Sequence, residues 1–322
     1  MTSLYADAIH TLLGDLCHSA GLRAQQREEN IDDTWKALVE SGFLNALLPE
    51  EAGGVGLSLA EALPVLQAAG YHGLALPFID TLLIRAALGI DDSEAEQAIA
   101  LAQLDASGDS ALLLQPALRG VQAVIIASGE ETLLRPVTGR EGAQVSLGPI
   151  QQRFGFAVDK LALGAFIESA WMVGALQRLL EMTVDYANER QQFGRPIGKF
   201  QALQQQISVM TGHGHSAVVA LSVAAGGARL NEGRLLLDPA HVAAGRVVIC
   251  EAAQPAADVA HAVHGAIGVT EEYDLQLWTQ RLLAGRRSCG SDSYWSRQLG
   301  TFCLDGNDRL YATVQEKLAP AF

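Results

Sequence analysis

The stretch YANERQQFGRPIGKFQALQQQISVM, residues 186 to 210, decides how this sequence folds. It ends one long helical pattern, breaks at Gly194, Pro196 and Gly198, and opens a second helical pattern at Phe200. Glycine is entropically costly inside a helix and proline cannot donate the backbone hydrogen bond, so this cluster marks a helix end. Two long helices joined by so short a break predict an antiparallel helical pair.

Helical spacing of apolar residues continues on both sides of this break. The pattern predicts four long C-terminal helices, over Asp159 to Asn188, over Phe200 to Leu230, over Asp238 to His264, and from about Leu275 onward. The third helix has a clear start, because Asp238 is a typical N-cap and Pro239 is favoured at the first helical position. Four such helices predict a C-terminal four-helix bundle.

The chain before Asp159 shows two further patterns. Apolar residues at helical spacing from Leu4 to about Gly89 predict a helical N-terminal part. From about Ala98 to Gly148, short apolar runs separated by Gly, Asp and Pro predict strands. The predicted fold class is therefore mainly α, with a helical domain over residues 1–97, an abbreviated middle β domain over 98–157 and the helical bundle over 158–322.

Composition narrows the class of protein. The chain has 322 residues, 49% of them hydrophobic, and a formal net charge of −14, which disfavours binding to nucleic acid or to anionic membranes. No uninterrupted apolar run approaches the roughly 20 residues that cross a bilayer, and the N-terminus does not look like a secretion signal. We therefore expect a cytoplasmic protein. The four cysteines form no C-x-x-C pair, which argues against a zinc site.

Three segments resemble the acyl-CoA dehydrogenase family. Residues 186–210 are similar to its signature Y-x-x-x-R-x-x-F-G-x-x-I-x-x-F-Q-x-x-Q, and VHGAIGVTEEYD, residues 263–274, is similar to its G-G-x-G-x-x-x-E-Y turn. Residues 38–70 resemble its N-terminal helical domain. The resemblance implies FAD as cofactor, assembly into tetramers and oxidation of an acyl-CoA to its 2,3-enoyl-CoA. In that reaction a carboxylate removes the α-proton and the β-hydride passes to the flavin.

The resemblance also implies cofactor-binding residues. Arg190 corresponds to the contact with the FAD pyrophosphate of the adjoining subunit, with Gln192 and Phe193 beside that cofactor. The turn from Gly265 to Gly268 corresponds to the part near the FAD adenosine. A guanidinium suits a diphosphate because it donates charge-assisted, bidentate hydrogen bonds. The alternatives are that Arg190 caps the negative end of its helix and that the turn only joins two helices.

The positions of the catalytic base depart from the family pattern. Counting forward from Tyr273 places Cys289 where the family usually has a glutamate, and a thiol is mostly protonated near neutral pH. Counting back from Arg190 places Gly164 at the alternative base position, followed by Ala165 where an arginine is common. We therefore expect no catalytic base at either position.

The middle region departs from the pattern as well. LAQLDASGDS, residues 101–110, stands where the family has the flavin-ring motif T-E-P-x-x-G-S-D, and Ala262 replaces a common glutamine. This combination resembles the smaller subunit of heteromeric (α2β2) acyl-CoA dehydrogenases, known from bacterial steroid side-chain degradation. The resemblance implies a homologous partner subunit that carries the base, an acyl-CoA substrate such as a steroid side-chain thioester, and an electron-transfer flavoprotein as acceptor.

Two other hypotheses stay open at this stage. The chain is a self-sufficient homo-oligomeric enzyme if a displaced base acts, the candidates being Glu168, Glu271 and Asp292. Glu168 lies one helical turn beyond Gly164, although a solvated helix position is the simpler interpretation. The other hypothesis is a flavin-free scaffold or regulatory subunit, against which the retained Arg190 argues.

Overall fold

A computed structural model describes residues 2–90, 96–128, 130–231 and 233–304. Five helices form the N-terminal part: α1 (Thr2–Leu16), α2 (Ser19–Gln26), α3 (Ile31–Glu40), α4 (Leu59–Tyr71) and α5 (Phe78–Leu88). The start of α4 shows why the sequence folds here, because Ser58 and Glu61 form a reciprocal capping box. The expected helical first part is confirmed.

Six strands follow: β1 (Ile99–Leu104), β2 (Ser110–Leu113), β3 (Ala123–Ser128), β4 (Glu131–Glu141), β5 (Gln144–Leu147) and β6 (Gln152–Phe154). They form one sheet in the order β3-β1-β2-β5-β4-β6. Strands β3 and β4 also pair, so the sheet closes on itself as a small barrel. Strands β1 and β3 run parallel, and the other pairs are antiparallel.

The barrel and the helices share strands. Because successive side chains of a strand point to opposite faces, β1 contributes Ile99 and Leu101 to the large helical core and Ala100 and Ala102 to the barrel interior. Strand β3 alternates in the same way, with Ala123 and Ile125 on the helical side and Val124 and Ile126 inside the barrel.

The C-terminal part is built from α6 (Lys160–Glu189), α7 (Gln201–Gly226), α8 (Pro239–His264), α9 (Leu275–Gly285) and α10 (Asp292–Leu304). Two-residue strands β7 (Gln191–Gln192) and β8 (Arg195–Pro196) join α6 to α7, and strands β9 (Arg229–Asn231) and β10 (Arg234–Leu236) join α7 to α8. Helix α6 is central: all residues from Ala162 to Leu176 are buried, as expected of a helix that is packed on every side.

Two helix predictions need correction. The second helix ends at Gly226 instead of near Leu230, because residues 229–231 pair with residues 234–236 as the strands β9 and β10. The helix expected from Leu275 onward is two helices, and the turn between them carries Cys289 in the left-handed conformation, with φ of 55°. Helix α8 continues through Pro255, and α7 continues through Gly212 and Gly214.

One helix bears on the expectation about membrane-spanning segments. By length and composition, α7 is long and apolar enough to cross a membrane. One third of its most apolar 18-residue window is buried inside the protein. The core helix of a soluble protein passes the same test, so the finding is weak evidence for a membrane.

Candidate functional site

The break between α6 and α7 presents an arginine and an aromatic ring to solvent. Arg190 ends α6 in an extended conformation, and its backbone carbonyl accepts a 2.8 Å hydrogen bond from the amide of Ile197. Phe193 has a left-handed φ of 50° and is 91% exposed, and its ring meets that of Phe200 edge to face at 6.0 Å. A bulky residue in this conformation is strained, and strain of this kind often marks a ligand site.

The end of α8 forms the opposite wall of a groove of about 560 Å³, which we call the Arg190 groove. Arg190, Gln192 and Phe193 line one side, and the turn containing Gly265 lines the other. Gly265 has φ of 63°, a conformation that favours glycine, and a Cβ there would meet nothing within 4 Å. Four of the five predicted cofactor-binding residues therefore lie around one groove.

Gly268, the fifth predicted residue, does not line this groove. A Cβ on Gly268 would lie 2.9 Å from Leu275 Cδ2 and 3.0 Å from His264 Cβ, so this glycine permits close packing of the turn on α9. Ala262, which stands in place of a common family glutamine, lines the groove.

Two groove residues were not singled out from the sequence. Tyr186 stacks on His264 with ring centroids 4.5 Å apart, and both line the groove. Burial lowers the pKa of His264, which keeps its ring neutral near pH 7. The available signal was the position of Tyr186 as the first residue of the signature segment.

The guanidinium of Arg190 is available to a ligand. Arg190 is exposed, and within the part of the chain that the structure describes it forms no ion pair and donates no side-chain hydrogen bond to the end of α6. The geometry thus offers no support for a pure helix cap. An exposed guanidinium, an aromatic ring and an open glycine backbone suit a ligand with a diphosphate and a flat ring.

The two predicted base positions meet in the structure. Cys289 is 5% exposed, and a Cβ added to Gly164 would lie 2.6 Å from its Sγ and 3.3 Å from its Cβ. The thiol also lies 3.8 Å from the carbonyl oxygen of Leu114, at the distance of a weak hydrogen bond. Burial raises the pKa of the Cys289 thiol, so the sulfur is protonated and packs as a small apolar group.

Beside Cys289 lies a cavity of about 410 Å³, which we call the Cys289 cavity. Glu168 of α6 lines it and is only 2% exposed, so the interpretation of Glu168 as a solvated helix residue is wrong. Its Oε2 accepts a 3.1 Å hydrogen bond from Nε2 of Gln115. The available signal was the segment LALGAFIESAWMVGAL, in which Glu168 is the one charged residue.

Two ionisable side chains, Asp80 and Arg281, interact electrostatically with Glu168. The pKa of Asp80 is raised to about 8, mainly by burial and also by the charge of Glu168, while Arg281 acts in the opposite direction. The guanidinium of Arg281 stacks over the ring of Trp171 at 4.1 Å and donates to the carbonyl of Leu74 at 2.9 Å. This corner of the core is therefore an electrostatically coupled cluster.

The other two candidates for a displaced base lie elsewhere. Asp292 accepts a 2.9 Å hydrogen bond from Arg286, which is the main reason that its pKa is lowered. Glu271 is exposed, and its backbone carbonyl accepts a hydrogen bond from Arg23. Neither residue lines the Cys289 cavity.

The segment LAQLDASGDS forms a compact turn between β1 and β2. The carboxylate of Asp105 accepts hydrogen bonds from the amides of Ser107 and Gly108 and from the hydroxyls of Ser107 and Ser110. The hydroxyls of Ser110 and Ser107 are the main reason that the pKa of Asp105 is lowered to about 2. The polar groups of this turn therefore form hydrogen bonds with one another.

Comparison with known proteins places these features in a family. A family model described as "Acyl-CoA dehydrogenase, N-terminal domain" matches residues 7–129, and one described as "Acyl-CoA dehydrogenase, C-terminal domain" matches residues 154–300. The chain is 30% identical over 266 residues to the acyl-CoA dehydrogenase IpdE2 of Mycolicibacterium smegmatis, covering 77% of this chain and 80% of that protein.

Solved structures show the same fold at lower identity. The ChsE4-ChsE5 complex of Mycobacterium tuberculosis matches with a TM-score of 0.77 and 20% identity, over 95% of this chain and 98% of that one. PigA with FAD and proline matches with a TM-score of 0.75 and 18% identity, over the same shares, 95% and 98%.

Proposed function

The chain belongs to the acyl-CoA dehydrogenase family, and from this premise we propose that it is a subunit of an FAD-dependent acyl-CoA dehydrogenase. In this proposal the chain completes an FAD site at a subunit interface, and a homologous partner chain carries the catalytic base. The proposed reaction is the 2,3-desaturation of an acyl-CoA, with a steroid side-chain thioester as one proposed substrate and an electron-transfer flavoprotein as the proposed acceptor.

The Arg190 groove is the observation that carries the cofactor assignment. It combines an exposed guanidinium, the exposed ring of Phe193 and the open backbone of Gly265 along about 560 Å³. Arg190 would bind the diphosphate of FAD, and Phe193 would pack beside it. FAD, when bound, supplies the acceptor for the β-hydride. The groove is open, which suits a cofactor shared between two chains.

The contact between Gly164 and Cys289 supports a base on the partner. A general base needs a group of suitable pKa within hydrogen-bonding reach of the proton that it removes. The Cys289 thiol stays protonated, and Gly164 has no side chain to offer. The ChsE4-ChsE5 complex offers a precedent, in this fold, for two different chains in one assembly.

Flavin retention tests this proposal. The chain is purified alone and after co-expression with candidate partner dehydrogenase chains, and flavin absorbance per polypeptide is measured together with enoyl-CoA formation. We expect stoichiometric FAD and turnover only in the two-chain complex. Stoichiometric FAD and turnover in the lone chain would contradict the proposal, and absence of flavin from every complex would support a scaffold.

One observation favours a second candidate function, in which Glu168 is this chain's own displaced base. Glu168 is buried, lines the Cys289 cavity and lies one helical turn beyond Gly164. Glu168→Gln separates the two functions. A loss of turnover of a hundredfold or more with FAD retained would identify Glu168 as the base, since general base catalysis contributes about 10² to 10⁴ in rate.

A further inference from the structure

The Cys289 cavity is a built polar site outside the Arg190 groove. Its walls come from the loop after β2, including Leu114 and Gln115, from Glu168 of α6, and from the end of α9 with the following turn. Its volume of about 410 Å³ is within the range of small-molecule sites. Most of the wall is apolar, and Glu168 and Gln115 form a polar end.

The carboxylate of Glu168 occupies space that exists because residue 285 is a glycine. A Cβ on Gly285 would lie 2.6 Å from Oε1 of Glu168 and 3.1 Å from Sδ of Met172, so any larger residue would displace the carboxylate. Arg246, fully buried, holds this turn by donating to the carbonyl oxygens of Gly285 and Ser288. The backbone around Glu168 is therefore fixed independently of the carboxylate.

The polar end carries an acceptor that no donor satisfies among the residues that the structure describes. Among the residues that the structure describes, Glu168 forms no ion pair, and its carboxylate accepts one side-chain hydrogen bond, from Gln115. Gln115 is 2% exposed, and its Oε1 has no hydrogen-bond partner in the described part of the chain. A buried amide oxygen is costly without a donor, so the Oε1 of Gln115, next to the Glu168 carboxylate, calls for a ligand that donates a hydrogen bond.

We propose that the Cys289 cavity binds an acyl-CoA whose acyl group carries a hydroxyl, and that this hydroxyl donates its hydrogen bond to Glu168 or Gln115. The inference rests on the proposed function, because it takes the ligand to be an acyl thioester. A hydroxyl fits better than the alternatives because it both donates and accepts hydrogen bonds, and the cavity presents the acceptors Glu168 and Gln115 together with the donors Arg281 and Arg287. An ionised carboxylate and a ketone cannot donate, and an ammonium cannot accept.

Binding, not turnover, tests the proposal. The full chain is titrated calorimetrically with hexanoyl-CoA and with hexanoyl-CoA derivatives that carry one hydroxyl at carbon 3, 4, 5 or 6. We expect one derivative to bind about tenfold to a hundredfold more tightly than hexanoyl-CoA, the effect of one hydrogen bond to a charged group. Equal affinity for all five compounds, or no binding of any, would overturn the proposal.

Variants locate the effect. Glu168→Met and Gln115→Leu remove the two acceptors, and we expect Glu168→Met to abolish the preference for the hydroxylated compound while hexanoyl-CoA binds at least as well. Glu168→Gln keeps the shape if the methionine variant does not fold. The exposed Glu251→Gln on α8 is the matched control and should keep the preference. A preference that survives Glu168→Met and Gln115→Leu would place the hydroxyl elsewhere.

These outcomes are distinct from those of the flavin test. If the complex retains FAD and turns over but no hydroxylated compound is preferred, only the hydroxyl subsite is wrong. If the preference is found and no partner brings FAD, the ligand site stands and the dehydrogenase function is wrong.

Discussion

A Cβ on Gly164 would lie 2.6 Å from the Sγ of Cys289, so the two base positions of the family occupy one another's space in this chain. Position 164 requires glycine because the side chain of Cys289 fills the space that a Cβ would need. A carboxylate introduced at position 164 alone would meet the side chain of Cys289.

This contact predicts a rescue between two substitutions. Gly164→Ala should destabilise the protein by about 1 to 3 kcal/mol, the usual cost of overpacking. Cys289→Gly removes the sulfur and the Cβ at a left-handed φ of 55° that glycine adopts readily. In the double variant we expect most of the cost of Gly164→Ala to disappear, as measured by urea unfolding. Additive effects of the two substitutions would mean that the side chains do not meet.

The state of Cys289 predicts its small role in catalysis. Because burial raises the pKa of its thiol, the sulfur is not a base at neutral pH. Cys289→Ser should leave the turnover of the flavin-loaded complex within about fivefold of the parent, whereas loss of a general base costs about 10² or more. A hundredfold loss with FAD retained would show that the thiol acts in the reaction.

The Arg190 groove predicts a loss of cofactor without a loss of fold. Arg190→Ala should weaken FAD binding by about tenfold to a hundredfold, because a charged hydrogen bond contributes about 1.5 to 3 kcal/mol. Lys199→Ala is the control, since Lys199 is an exposed cation near the break that does not line the groove. For both variants, the FAD dissociation constant is measured on the two-chain complex, and the unfolding midpoint is measured on the flavin-free chain. Equal FAD affinity in both variants, with lower stability for Arg190→Ala, would indicate a helix cap.

Asp80 predicts a pH dependence of stability. Its folded-state pKa is raised, mainly by burial, from about 3.9 in an unfolded chain to about 8. The unfolded chain therefore loses this proton first, and the Asp80 contribution to the free energy of unfolding falls as the pH rises from about 4 to about 8. Asp80→Asn should remove that decline, so its stability relative to the parent increases over this range and is constant outside it. Urea unfolding midpoints measure this, with the exposed Asp15→Asn as control; parallel curves for parent and Asp80→Asn would contradict the assignment.

Some features of this fold could be read from the sequence, and others depended on tertiary contacts. The start of α8 was predictable because Asp238 and Pro239 act locally, through capping and a fixed φ. The β9–β10 hairpin was missed because the pairing of two strands across a turn is not visible in the periodicity of one segment.

The same distinction applies to the candidate sites. Arg190, Gln192 and Phe193 are adjacent in the chain, so their common groove followed from the segment that contains them. The niche of Glu168 depends on Gly285 and Gln115, which are far away in the sequence and approach only in the folded chain. A single glutamate in an apolar helix was the available signal, and periodicity alone does not say which face of such a helix is covered.

The alternation along β1 and β3 ties the barrel and the helices into one cooperative unit. Ile99 and Leu101 pack on the helices while Ala100, between them, packs inside the barrel, so neither core can open without exposing apolar side chains of the other. Melting should then occur as one calorimetric transition, although the chain looks modular. Removing the barrel to make a smaller, all-helical version of the protein would also remove the side chains of β1 and β3 that pack in the helical core, and would expose that core to solvent.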